Sequence, residues 1–164
     1  MTAGFDKEVA TRISAAALAV FMLLQPAVGA LSDRVGRRPI MIAFGVLGTL
    51  FTYPIMTALG GTRSAFTAFL LVLAALVIVS GYTAINAVVK AELFPAEIRA
   101  LGVALPYAVA NTLFGGTAEW VALRLKAAGH ESLFFVYVTV GIALSLVVYV
   151  GMRDTRTHSK ITEG

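Results

Sequence analysis

Gly29-Ala30-Leu31-Ser32-Asp33-Arg34-Val35-Gly36-Arg37-Arg38 is a short charged stretch with two glycines, set between two apolar runs. The run before it covers about 13–31 and the run after it about 39–59. A helix needs about 20 mainly apolar residues to cross roughly 30 Å of hydrocarbon. Both runs reach that length, so the stretch reads as a turn at a membrane surface. Three further runs follow at about 65–89, 101–123 and 133–152, and residues 153–164 form a polar tail. The runs are apolar all round and do not alternate in periods of two, which implies helices and not barrel strands. The expected fold is all-α and integral to a lipid bilayer, with five transmembrane helices.

Composition agrees. Of 164 residues, 59% are hydrophobic and 13% charged, and the mean hydropathy is +0.86. A water-soluble domain carries roughly 25% charged residues. The absence of cysteine rules out disulfides and thiolate metal sites. His130 and His158 lie in polar connecting segments without a cluster of partners, so neither a metal nor another cofactor is expected. The sequence pI is near 9.7, but the basic residues fall in short groups beside apolar runs. That pattern signals membrane topology and not a nucleic-acid partner. No run holds a nucleophile–base pair or a ligand cluster, which argues against an enzyme. One alternative concerns the first run alone: Lys7 and Arg12 precede an apolar core at 13–24, with small residues at 27–30, as in a signal peptide. The other four runs stand in either case.

Every Lys and Arg lies outside the runs or at their ends. Arg34, Arg37, Arg38, Lys90, Arg99, Arg153, Arg156 and Lys160 share one side, and Lys7, Arg12, Arg63, Arg124 and Lys126 the other. The excess places the Gly29–Arg38 turn and the C-terminus in the cytoplasm. Ala15 with Ala19, Gly45 with Gly48, and Gly115-Gly116 are expected sites of close helix approach. Pro26, Pro54 and Pro106 are expected kinks.

The turn itself combines three chemical capacities. Gly36 can take a positive φ and close a tight link. Asp33 can place its charge at a neighbouring helix N-terminus. Arg37 can reach carboxylates on an adjacent loop. Downstream, Glu92 and Arg99 stand six residues apart in Glu92-Leu93-Phe94-Pro95-Ala96-Glu97-Ile98-Arg99. By itself this pair could be an ordinary surface ion pair of small energetic consequence.

These motifs resemble the major facilitator superfamily. Gly29, Leu31, Asp33, Gly36, Arg37 and Arg38 meet its loop signature G-x-L-x-D-x-x-G-R-[RK], and Glu92 with Arg99 resembles its E-x6-R element. The runs 21–26, 90–95, 99–103, 107–111 and 114–119 are similar to the superfamily's metabolite:proton symporter group. The resemblance implies a partial C-terminal half of that fold, with the five spans matching the eighth to twelfth helices of twelve. It implies proton-coupled uptake of α-ketoglutarate or a related carboxylate metabolite, with the proton as coupling ion. An osmolyte or a shikimate-like acid is the alternative substrate. The chain is expected to be inactive alone, or to act as a module pairing with a separate N-terminal half. A cytoplasmic gating cluster of Gly29, Asp33, Gly36, Arg37, Arg38, Glu92 and Arg99 is implied, locking one state of the carrier.

Polar residues inside the runs are the remaining candidates. Glu119 lies about 27 Å along the fourth run from Leu101, at 1.5 Å per residue. It can serve a proton pathway, or anchor the interface beside Trp120 and Arg124. Tyr82 with Asn86, and Tyr107 with Asn111, are spaced four apart to share a helix face, and Gln25 stands alone. They suit a carboxylate-bearing substrate or interhelical hydrogen bonds equally well. No Lys or Arg falls inside a run, so the charge partners of a dicarboxylate are expected from other helices.

Overall fold

The computed structural model describes residues 5–155. Arg156, His158, Lys160 and the rest of the tail beyond 155 lie outside the described residues. Among the described residues the chain is helical without strands: α1 (Lys7–Val35), α2 (Arg37–Gly61), α3 (Ala65–Thr83), α4 (Asn86–Glu92), α5 (Arg99–Ala110), a π-turn (Asn111–Gly115), α6 (Gly116–Ala127) and α7 (Glu131–Gly151). Helices α1, α2, the α3–α4 pair and α7 are each long and apolar enough to cross a membrane. Large apolar side chains face outward along them; Leu23, Leu144 and Val147 are 74, 65 and 71% exposed. Such a surface is solvated by lipid and not by water.

Local signals set the helix ends. The Asp6 carboxylate accepts from the Lys7 amide at 2.8 Å and opens α1. Ser64 does the same for α3, its hydroxyl accepting from the Thr67 amide at 3.4 Å. Gly36 alone separates α1 from α2, at φ 107° and ψ 159°. Its amide still donates to the Ser32 carbonyl at 3.0 Å. Pro26, Pro54 and Pro106 lie within α1, α2 and α5 without ending them.

Packing is uneven. α2 lies along α7 and α3, α1 lies along α3, α6 leans on α7, and α5 touches α4. Gly45 and Gly48 make the α2–α7 approach possible. A Cβ at Gly45 would stand 2.9 Å from the Leu146 Cβ, and one at Gly48 2.9 Å from the Ile142 Cγ2. The other expected close approaches differ. Ala15 and Ala19 are exposed and Ala17 is the buried alanine of α1. A Cβ at Gly116 would meet nothing within 4 Å. The small residue of α1 that is buried, Ala17, lies two positions from either member of the expected pair.

Two runs differ from uninterrupted spans. The third breaks at Ala84-Ile85, where the Ile85 amide bonds back three residues to the Tyr82 carbonyl at 3.3 Å. The bend sinks Ile85 and Val89 against Met41 of α2. Tyr82 and Asn86 therefore belong to separate helical segments and do not share the face that a continuous helix would provide. The fourth run keeps its helical path from Arg99 to Ala127 but changes register through the π-turn. This α5–π–α6 arm contains no buried residue.

Candidate functional site

The polar contacts of the chain concentrate around the amino end of α2. The Arg37 guanidinium donates through Nη1 to the Asp33 carboxylate at 2.5 Å and to the Ser32 hydroxyl at 2.5 Å. Through Nη2 it reaches the Glu92 carboxylate at 3.4 Å. The side chains of Arg37 and Glu92 are 11 and 9% exposed, whereas that of Asp33 is 66% exposed. One arginine thus joins the end of α1 to the end of α4. A buried pair differs from a surface pair in kind: deleting one partner strands a charge, at a cost of about 3–5 kcal/mol.

The segment after α7 completes the cluster. The Thr155 hydroxyl, in a residue only 3% exposed, donates to the second Glu92 oxygen at 2.6 Å. Asp154 accepts from the Arg37 backbone amide at 3.1 Å and so caps α2, whose preceding residue Gly36 has no side chain to do so. Arg38 donates to the Val150 carbonyl at 2.6 Å. A Cβ at Gly36 would collide with the Asp154 carboxylate. Glycine is therefore required there for space as well as for its positive φ. Neither Asp154 nor Thr155 is marked by any motif spacing; only the return of the chain to α2 brings them here.

Each sequence candidate can now be placed. Asp33, Gly36, Arg37, Arg38 and Glu92 converge at the cluster. Gly29 lies one turn earlier in α1 and accepts from the Ser32 hydroxyl at 2.7 Å. The expected position of Arg99 is corrected. Its Nε donates to the carbonyls of Ala91 and Phe94 at 3.0 and 3.1 Å, and it forms no ion pair within 4 Å among the described residues. The 93–98 turn needs acceptors satisfied inside itself, and Arg99 is near enough to supply them, so it braces the loop and not Glu92.

The candidates inside the runs do not gather. Gln25 accepts from the Thr83 hydroxyl at 3.0 Å, an α1–α3 hydrogen bond. Tyr82 packs on Phe44, ring centroids 5.4 Å apart. Asn86 is half-buried at the start of α4. Asn111 opens the π-turn, its carbonyl accepting from the Gly116 amide. Glu119 is exposed on α6 beside Trp120, over whose ring Arg124 sits at 5.3 Å. Tyr107 has an unforeseen neighbour: the Lys90 ammonium lies 4.5 Å from its ring centroid. A cavity of about 570 Å³ opens at the opposite end of the bundle, lined by Ile13, Met56, Val72, Leu123 and Phe134 among others. The Lys126–Glu131 pair, 3.7 Å apart, is also part of its wall. None of the candidates above lines it.

Comparison with known proteins follows the same outline. The sequence profile described as Sugar (and other) transporter matches residues 1–163. The chain is 55% identical over 147 residues to the alpha-ketoglutarate permease of Escherichia coli (strain K12), covering 90% of this chain and 34% of the permease. It is 37% identical over 101 residues to the citrate-proton symporter of Klebsiella pneumoniae, covering 61% of this chain and 22% of the symporter. With the shikimate transporter of Escherichia coli (strain K12) it shares 25% over 155 residues, 93% of this chain and 35% of that one. The chain spans about a third or less of the length of the curated relatives it matches. No solved structure matches it. These relatives are carriers and not enzymes, and with the long apolar helices they assign the chain to a bacterial inner membrane as a multi-pass protein. The chain belongs to the Sugar (and other) transporter family of the major facilitator superfamily.

Proposed function

We propose that this chain is the closing portion of a proton-coupled carrier for α-ketoglutarate or a related carboxylate. The observation that carries this reading is the 55% identity to the E. coli permease across nearly the whole chain. The citrate-proton symporter points to the same substrate chemistry and the same coupling ion. In this reading the Gly36 end and the C-terminus face the cytoplasm, in keeping with the excess of basic residues there. The Arg37–Glu92 cluster is a latch of one conformation. It ties α1, α2, α4 and the segment after α7 at one end, and alternating access requires such ends to separate as the helices rock. The exposed α5–π–α6 arm is then a face that packs against further helices of the same carrier. Its lack of any buried residue also supports a second reading, in which those helices belong to a separate polypeptide.

The test joins residues 1–164 to the preceding part of the E. coli permease in place of its own last third. Proton-driven uptake of labelled α-ketoglutarate is expected from the chimera and not from the chain alone. A well-expressed, membrane-inserted chimera without carboxylate uptake overturns the reading. Competition by shikimate, citrate and proline ranks the alternative substrates. Single cysteines introduced at 62 and 154 report orientation without interference, because the chain has none of its own.

A further inference from the structure

We infer that Lys90 is a carboxylate-recognition residue of the transport pathway, held in readiness over the face of Tyr107. The inference rests on the carboxylate-carrier reading above and adds a cation that the sequence pattern excludes, since Lys90 falls just outside the third apolar run.

Its placement is the first argument. Lys90 lies in α4, and its ammonium crosses to α5, 4.5 Å from the Tyr107 centroid. A lysine at the end of a membrane helix ordinarily extends its charge toward headgroups and water. Tyr107 is eight residues into α5 from Arg99, about 12 Å along the helix from the end where Glu92 and Arg99 sit. The ammonium is therefore directed along the arm toward the apolar run and not into the polar cluster two residues away.

The second argument is its lack of a carboxylate partner. Both oxygens of the nearest acid, Glu92, are engaged, one by Arg37 and the other by Thr155. Glu97 is exposed on the loop before α5. Among the described residues Lys90 has no carboxylate within 4 Å and donates to no protein acceptor. A ring face attracts an ammonium through its quadrupole while leaving the N–H donors unspent. An incoming carboxylate offers those donors a charge-assisted hydrogen bond, the stronger of the two interactions in partly desolvated surroundings.

The third argument is which side of α4 carries the residue. Ile85 and Val89 turn toward Met41 of α2 and pack beneath Tyr149 of α7. Lys90 and Asn86, one turn apart, are only half-buried and belong to the side that meets α5. Tyr107 lies on α5, and Asn111, four residues on, opens the π-turn. Lys90 and Tyr107 therefore form a polar contact between α4 and α5, with Asn86 one turn before Lys90 on α4. An ammonium with a phenol beside it fits the carboxylate of a small organic acid.

Two measurements decide the matter. In the chain itself, in detergent micelles, its lysines are carbon-13 methylated, which preserves their charge. One of the four lysines, Lys90, is expected to show a ring-current-shifted methyl signal that returns to the ordinary position in Tyr107→Leu. Added α-ketoglutarate, against chloride at equal ionic strength, is expected to move that signal. Absence of the ring-current shift, or a signal indifferent to the acid, overturns the inference. In the chimera, Lys90→Met is expected to raise the KM for α-ketoglutarate by about tenfold or more, with Lys90→Arg recovering part of it. An unchanged KM in Lys90→Met, with uptake intact, sinks the role of Lys90 and leaves the carrier reading standing. Loss of uptake by the unsubstituted chimera sinks the carrier reading, and the lysine signal then decides the inference alone.

Discussion

The amino end of α2 and the α5–π–α6 arm are built on opposite principles. Around Gly36 to Arg38, five polar contacts tie α2 to α1, α4, α7 and the segment after it, and their central pair is about nine-tenths buried. Along the arm, twenty-nine residues from Arg99 to Ala127 bury none of their side chains. The cluster is a place where a few substitutions should have large effects, because polar groups removed from water need every partner. The arm is a place where substitutions should hardly affect this chain by itself, because its residues are not buried among the described ones. The π-turn adds to the contrast, since such turns break the regular hydrogen-bond ladder where a helix must adapt its shape.

Substitutions can break that comparison, and thermal unfolding in micelles followed by helical circular dichroism measures them. Arg37→Ala should have the largest effect, a loss of about 3–5 kcal/mol, because it strands the buried Glu92 charge. A loss below about 1 kcal/mol would mean that Glu92 is solvated and that the two charges form a surface pair. Gly36→Ala should cost about 1–3 kcal/mol, through its positive φ and its collision with Asp154. Asp154→Ala removes the remote cap of α2 and should cost about 0.5–2 kcal/mol. Combined with Gly36→Ala it should be less than additive, since the same carboxylate is involved in both. Asp33→Ala should cost at most about 1 kcal/mol, for its carboxylate is two-thirds exposed. Glu119→Gln on the arm should stay within about 0.5 kcal/mol in this chain. The same change in the chimera sharpens the contrast. Lowered proton-driven uptake there would assign Glu119 a part in coupling that its exposed position in this chain alone does not reveal.

Much of the cluster was legible in the residues. Asp33, Gly36 and Arg37 are close in sequence, and Glu92 follows at the end of a run that an antiparallel bundle returns to the same side. The other partners of the cluster were not. Arg99 looked like the counter-ion of Glu92 because six residues of loop can bring the two together. The loop instead takes Arg99 for its own carbonyls, which would otherwise be left without donors. Thr155 and Asp154 carry no spacing signal, as they follow α7 and meet α2 only through tertiary packing. The Tyr82–Asn86 face failed for a related reason: hydropathy averages over a window and cannot register one broken hydrogen bond at Ala84-Ile85.

What the sequence determined alone is the kind of molecule. Apolar runs of bilayer length leave the backbone no alternative to helices, because every peptide group in hydrocarbon must find its partner within its own segment. The glycine-bearing turn between two of them, with its signature residues, is enough to indicate the family. What tertiary structure decided is which charges meet and which stay apart. A long side chain at the end of a helix can extend in several directions, and only packing selects among the acceptors within its reach. Thus Arg37 went to Glu92, Arg99 to its own loop, and Lys90 to the ring of Tyr107.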